Sequence, residues 1–290
     1  MKSDVRRQSF RKMVEQRRGM LIAGAFNAYS ARIVEDSGFE AVYLTGAGVN
    51  NMALALPDLG FAGLYEIAEH TARIRDAVAL PLVVDADTGF GNAVNAAYAV
   101  RVLERSGADA IQIEDQVFPK RCGHFEGKGL IPLSEATGKI KAAVDARLDP
   151  NFLIIARTDA RSVEGLSVAI ERAQAFAEAG ADVLFVEAPT SVDELRQIAG
   201  QLERPQLVNI VVGGKTPALN QSEFAVLGFA MVLYANAALQ GATLGMQKAL
   251  RELRTAGILE ESSGLVATFA ERQRLVKTGE YNEQATRYQA

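Results

Sequence analysis

"LVVDADTGFGNAVNAAYAVRVLERSGADAIQIED", residues 82 to 115, holds one complete strand–helix–strand unit. LVVDAD at 82 is a continuous aliphatic run that ends in two acids. NAAYAVRVLERSGA reads as a helix stopped by Gly-Ala, and AIQIED at 110 is a second apolar run with acids at its end. Continuous rather than alternating apolar runs mark parallel strands covered on both faces. Glycine just before the next strand is a usual helix stop, because it tolerates the left-handed conformation needed there.

The unit recurs. LIAGA at 21, AVYLTG at 41, LIIARTD at 153, VLFVEA at 183, LVNI at 207 and FAMVLY at 229 are separated by helix-like segments such as GLYEIAEHTARIRDAV and EGLSVAIERAQAFAEAGA. Eight such units in roughly 250 residues match a (β/α)8 barrel, whereas an open doubly wound sheet rarely needs eight. The expected fold class is α/β, a TIM-type barrel with extra N- and C-terminal helices. No linker or low-complexity tract divides the chain, so residues 1–290 read as one domain, with a polar helical extension over about 257–290.

Apolar residues make up 49% of the 290, enough for a large core. A net charge of −4 argues against a nucleic-acid partner or an anionic membrane surface. One cysteine excludes an internal disulfide and fits a reducing compartment, so a cytoplasmic location is expected. The arginine-rich first twenty residues lack the apolar stretch of a secretory signal. Phe10, Met13 and Val14 instead fall at helical spacing and predict an amphipathic helix packed on the domain. The window FAVLGFAMVLYANAAL at 224 to 239 is too short to span a bilayer and carries Asn236; it reads as a buried strand running into a helix.

A barrel collects its chemistry where strands end. The polar residues there are Thr45-Gly46-Ala47-Gly48, Asp85-Ala86-Asp87, Glu114-Asp115, Arg157-Thr158-Asp159, Glu187 and Asn209. Burying an unpaired carboxylate costs several kcal/mol, so this rim calls for a cation. Asp85, Asp87 and Glu114 offer only oxygen, the preference of Mg²⁺ or Mn²⁺; one cysteine and two histidines are too few for zinc. Strand alternation would turn both acids of D-x-D to one side. The Thr45–Gly48 stretch offers backbone N–H groups to an oxyanion, or is a plain tight turn. Gly89-Phe90-Gly91-Asn92 is similarly permissive but lacks dinucleotide-fingerprint spacing. Arg157 suits a substrate carboxylate, or an internal ion pair with Glu187 or Asp159. His70, inside a helix, is assigned no role.

One stretch, EDQVFPKRCGHFEGKGLIP at 114 to 132, places the sole cysteine among cations and glycines rather than in apolar surroundings. EDQVFPKRCGH followed by GK, with VDADTGFGN upstream and ARTDA downstream, resembles the isocitrate lyase / phosphoenolpyruvate mutase superfamily over about residues 20 to 260. K-[KR]-C-G-H resembles the signature of its carbon–carbon lyase branch; the phosphonate-forming branch lacks the cysteine. The resemblance implies Mg²⁺ and a homotetramer in which neighbours exchange the last barrel helix. It also implies a 2-hydroxy di- or tricarboxylate substrate, cleaved by retro-aldol (retro-Claisen) chemistry to a 2-oxo acid and a carboxylate.

Position by position, the resemblance makes Asp85, Asp87 and Glu114 the metal acids, with Asp58 near them. Tyr43, Thr45, Gly46 and Ala47 fall on the segment that holds the 2-hydroxy acid portion, Tyr43 being a candidate proton acceptor. Arg157, Glu187 and Asn209 match polar site residues, and Lys120, Cys122, Gly123 and His124 match a gating loop. Cys122 would then be the general acid that protonates the enediolate carbon. Neighbouring Lys120, Arg121 and His124 favour thiolate, yet the enediolate carbon is much more basic, so transfer to it runs downhill. Thr45 and Ala47 stand where relatives often have serine and glycine. Gln240 stands where methylisocitrate-cleaving relatives carry an arginine. With Gly213-Gly214-Lys215-Thr216-Pro217, this resembles the branch that cleaves dicarboxylates such as 2,3-dimethylmalate to pyruvate-like and propionate-like products. Cleavage of 2-methylisocitrate, decarboxylation or hydrolysis of oxaloacetate, and a non-enzymatic dicarboxylate-binding barrel stay open beside it.

Overall fold

The computed structural model describes residues 3–121, 123 and 127–289. All eight apolar runs are strands: β1 Met20–Ala25, β2 Val42–Leu44, β3 Leu82–Asp85, β4 Ala110–Glu114, β5 Leu153–Thr158, β6 Val183–Val186, β7 Leu207–Asn209 and β8 Met231–Tyr234. They are parallel and ordered β6-β5-β4-β3-β2-β1-β8-β7. A parallel bridge between Leu184 and Gln206 joins the two ends, with the Leu184 N–H donating to the Pro205 carbonyl at 2.9 Å. The fold is a (β/α)8 barrel.

The runs are continuous because each strand buries both faces. Tyr43, Val83, Ala110, Ile155, Phe185, Leu207 and Leu233 point inward and form the barrel interior. Their neighbours Leu44, Val84, Ile111, Ile154, Leu184, Val208 and Val232 point outward, where Ile67, Ile74, Leu103 and Phe176 from the surrounding helices cover them. Counting two residues on from the inward set, as strand alternation requires, gives Thr45, Asp85, Gln112 and Glu114, Arg157, Glu187, Asn209 and Ala235. The barrel interior therefore turns polar at one end.

Helix Ser3–Glu15 closes the other end. Phe10 and Val14 join the barrel interior, as the helical spacing predicts. Its arginines are anchors: Arg6 bonds Asp109 at 2.9 Å, Arg7 bonds Glu104 at 2.9 Å, and Arg11 bonds Asp182 at 2.9 Å. Asp109 and Asp182 immediately precede β4 and β6, so these pairs tie the helix to the N-terminal mouth.

The window 224–239 needs a correction. Its first residues finish helix Gln221–Leu227, which a left-handed Gly228 stops before β8 begins. Helix Ala237–Ala256 then buries only Leu239, while Leu244, Met246, Leu250 and Leu253 are exposed along it. It ends at left-handed Gly257, and helices Phe269–Leu275 and Thr278–Tyr288 follow. Arg274 returns to helix Ala28–Asp36 through Asp36 at 2.6 Å. Among the described residues no helix is long and apolar enough to cross a membrane.

Candidate active site

At the polar end the inward residues enclose a cavity of about 40 Å³. Tyr43, Thr45, Ala47, Asp58, Asp85, Lys120, Gly123, Arg157, Glu187 and Asn209 line it, all expected from the sequence. Asp87 and Glu114 stand behind Lys120 and Arg157, which they contact. Cys122 and His124 lie outside the described residues, although Arg121 and Gly123 on either side of position 122 both line the cavity.

Two local expectations change. Strand β3 stops at Asp85, and Asp87 is left-handed with φ 45°, so alternation does not aim it. Both carboxylates nevertheless face Gly46, where a Cβ would lie 3.2 Å from Asp85 Oδ2 and 3.3 Å from Asp87 Oδ1. Thr45–Gly48, in turn, is a helix start rather than a turn: Thr45 caps helix Gly46–Leu54, and the Gly46 N–H donates to Asp85 Oδ2 at 3.2 Å. The helix N-terminus opens on the cavity, a setting that favours negative charge.

Acids outnumber cations here. Among the described residues, Asp58, Asp85, Asp87, Glu114, Asp159 and Glu187 stand with Lys120, Arg121, Lys128 and Arg157. The Lys120 ammonium bonds Asp58 and reaches Asp87 at 2.9 Å. Burial alone would depress it, but Asp87, Asp58, Glu114 and Asp85 outweigh that and hold it well above the usual lysine range. Arg157 donates twice to Asp159, at 3.0 and 3.1 Å, and lies 3.3 Å from Glu114 and 3.4 Å from Glu187, over the Phe185 ring. The internal ion-pair reading of Arg157 thus holds, and the guanidinium lines the cavity as well.

The shortage of cations shows in the remaining acids. Burial pushes the Asp87 carboxyl up to about 7; Lys120 opposes this, and the charges of Asp85 and Asp58 add to it. Burial likewise raises Asp85, and holds Glu114 well above the carboxylate range. Glu114 Oε1 is buried without a hydrogen-bond partner. Among the described residues no three acidic, histidine or cysteine side chains stand close enough to chelate one ion directly. An all-oxygen set of this kind fits Mg²⁺, which keeps several waters and takes only one or two carboxylates. Tyr43 donates to Gln112 Oε1 at 2.6 Å, and burial, with Asp85 next, holds its phenol well above the usual range.

Some residues escaped the sequence reading. Gln112 was legible as the inward residue two before Glu114. Phe185 beneath Arg157 and Asn236 after β8 carried no local signal. Asp115, a strand-end acid, points outward: it accepts from Thr158 Oγ1 at 2.7 Å, the Asp159 N–H at 2.9 Å and Arg172 Nε at 2.8 Å. Gln240 donates to the Val212 carbonyl at 3.3 Å.

The phosphoenolpyruvate phosphomutase family model matches residues 10–254. The chain belongs to the phosphoenolpyruvate mutase / isocitrate lyase superfamily. Among superfamily relatives, the 2-methylisocitrate lyase of Aeropyrum pernix is 46% identical over 247 residues, 85% of this chain and 79% of that one. The 2,3-dimethylmalate lyase of Eubacterium barkeri is 40% identical over 265 residues, 90% of each. The crystal structure of phosphonopyruvate hydrolase in complex with oxalate and Mg²⁺ superposes with a TM-score of 0.89 at 29% identity, covering all of both chains.

Proposed function

We propose that this superfamily member is a lyase that breaks the C2–C3 bond of a substituted malate, giving a 2-oxo acid and a carboxylate. The observation that carries the reading is the meeting, in one cavity, of surplus rim acids, the Arg157 guanidinium and a flap that enters between them through Lys120 and Gly123. Asp85, Asp87 and Glu114 would hold Mg²⁺, and the ion's charge lowers the cost of ionising a 2-hydroxyl. Thr45 and the helix N-terminus at Gly46–Ala47 orient the 2-hydroxy acid portion. Tyr43 is a neutral phenol here, suited to orienting substrate through its hydrogen-bonded hydroxyl, so the 2-hydroxyl proton passes to a carboxylate that lines the cavity, Asp58 or Glu187. Arg157 and Asn209 face the departing enediolate, and Cys122 gives its carbon a proton. Lys120 and His124 belong to the same flap. Gln240 sits on a neutral carbonyl where a third substrate carboxylate would want a cation, which favours dicarboxylates over 2-methylisocitrate.

The reading includes a cytoplasmic enzyme and a tetramer that exchanges helix Ala237–Ala256. The exposed Leu244, Met246, Leu250 and Leu253 support the exchange.

A panel of 2-hydroxy dicarboxylates, oxaloacetate and 2-methylisocitrate, each with Mg²⁺, tests the assignment. Pyruvate is expected from 2,3-dimethylmalate with kcat/KM at least about tenfold above that for 2-methylisocitrate. No oxo acid from any hydroxy acid sinks the lyase reading, and turnover confined to oxaloacetate moves it to hydrolysis or decarboxylation.

Mg²⁺ binding should depend on pH. Asp87, at about 7, holds a proton below neutrality that a cation must displace. Calorimetry should therefore show affinity falling about tenfold per pH unit below 7 and levelling above it. A flat profile from pH 5.5 to 8 removes Asp87 from the metal site.

A further inference from the structure

Among the described residues, the charged groups that line the cavity come from the ends of β2 to β6 and the segments after them. The side built by the ends of β7 and β8 is neutral: Asn209, Val211, Leu233, Ala235 and Asn236 line it. Its two polar side chains are amides that the fold leaves unsatisfied. The Oδ1 of each is buried with no hydrogen-bond partner among the described residues. Asn209 is 8% exposed and already faces the departing fragment, whereas Asn236 has been given no task.

Asn236 stands where asparagine ordinarily does something else. It is the N-cap of helix Ala237–Ala256, a position at which the side-chain oxygen accepts a backbone N–H of the first turn. Asn27, Asn92 and Asn220 do this for helices Ala28–Asp36, Ala93–Arg105 and Gln221–Leu227. Asn236 forgoes the capping bond and lines the cavity instead. Strand alternation does not aim it there, since β8 ends at Tyr234. A buried amide that gives up a local bond and gains none from the fold is destabilising, and two such amides on one wall call for a ligand that completes their bonding.

The chemistry at that wall says which part of the substrate the ligand group is. Arg157 is shared among Glu114, Asp159 and Glu187, so its charge is largely matched before substrate arrives. The fragment that leaves gains negative charge on its oxygens as the C2–C3 bond breaks, and fixed neutral N–H donors stabilise such charge where it develops. We infer that Asn236 is a catalytic residue: its amide, together with that of Asn209, donates to the oxygens of the departing enediolate, while Val211, Leu233 and Ala235 hold an apolar substituent on C3. The inference rests on the lyase reading for the identity of that fragment. Donors that act on developing charge show in kcat more than in KM.

The test compares the full-length wild type with Asn236→Leu, apolar and similar in size, and Asn236→Asp, the same shape with an oxygen in place of the N–H2. Calorimetry with Mg²⁺ reads three probes: the nitronate of nitroethane, which is isosteric with the enediolate of propionate, propionate itself, and pyruvate. Wild type should bind the nitronate at least about tenfold more tightly than propionate. Nitronate affinity should fall about thirtyfold in Asn236→Leu and further in Asn236→Asp, with affinities for pyruvate and Mg²⁺ within about threefold of wild type. On 2,3-dimethylmalate, kcat of Asn236→Leu should fall about 10²–10³-fold while KM stays within about threefold. Wild-type nitronate affinity in Asn236→Asp overturns the donor role, because a residue that only fills space tolerates its isostere. Equal weakening of nitronate, pyruvate and Mg²⁺ overturns it too, as the mark of a general loss of packing, and so does a wild type that does not prefer the nitronate. Should Asn236→Asp not fold, Asn236→Ala carries the same readouts. A wild type that cleaves no substituted malate yet binds the nitronate through Asn236 defeats the lyase reading and leaves the donor role standing.

Discussion

Replacing Arg157 with methionine is expected to destabilise the chain by about 3–5 kcal/mol, lowering the melting temperature by roughly 6–10 °C, and to abolish turnover. The guanidinium is 10% exposed and sits among Asp159, Glu114 and Glu187. Methionine keeps much of the packing over Phe185 but leaves Glu114 and Glu187 without their cation, and breaking a buried pair costs more than never having made one. Part of the cost can be relieved by protonation. Glu114 is already raised by burial, and loss of Arg157, the charge that opposes this, lifts it further. A carboxyl whose folded pKa lies above its unfolded value binds protons more tightly in the folded state, so stability falls as pH rises between the two values. The deficit against wild type should thus grow as pH rises above the ordinary carboxylate range. Arg157→Lys restores charge without the two-pronged bond to Asp159; it should regain most of the stability and little of the activity. A fully stable, active Arg157→Met protein would mean that the cluster does not depend on this cation.

Cys122→Ser is expected to lower kcat by about 10²–10⁴-fold, the range of a positioned general acid. Affinity for Mg²⁺ and oxalate should stay within about threefold of wild type, since serine differs little in volume and no binding role is assigned to the thiol. Oxalate is the apt probe because it is planar and doubly charged, as an enediolate is, and cannot accept a proton on carbon. The thiol is an acid of ordinary pKa about 8.5, whereas an alcohol gives up its proton far less readily. Pre-steady-state measurement should show the oxo acid forming in a single burst with slow release of the second product. Turnover of Cys122→Ser at the wild-type rate assigns the proton to another group.

How much of this was readable beforehand depends on the distance over which each feature is decided. The barrel was legible because its signals are local: continuous apolar runs, helices at their own period, and a glycine before several of the strands. Most cavity residues were legible for the same reason, since alternation carries the inward face from Val83 to Asp85, Ile155 to Arg157 and Phe185 to Glu187. The rule failed where the backbone left the strand. Asp87, two residues beyond the end of β3, turns left-handed, so alternation does not aim it, and Thr45–Gly48 begins a helix.

What the sequence determined by itself was the number and order of strands, the polarity of their ends and an all-oxygen acid set, each written within a few consecutive residues. Only the tertiary structure decided which acid pairs with which cation. Lys120 meets Asp58 across 62 positions and Lys128 meets Asp159 across 31. Asp115 and Glu114, adjacent in the chain, go to opposite sides of the barrel wall. The reason is physical: backbone period and propensity act over one or two turns, whereas a buried charge takes whichever counter-charge barrel closure brings within reach, at a separation that no local pattern encodes.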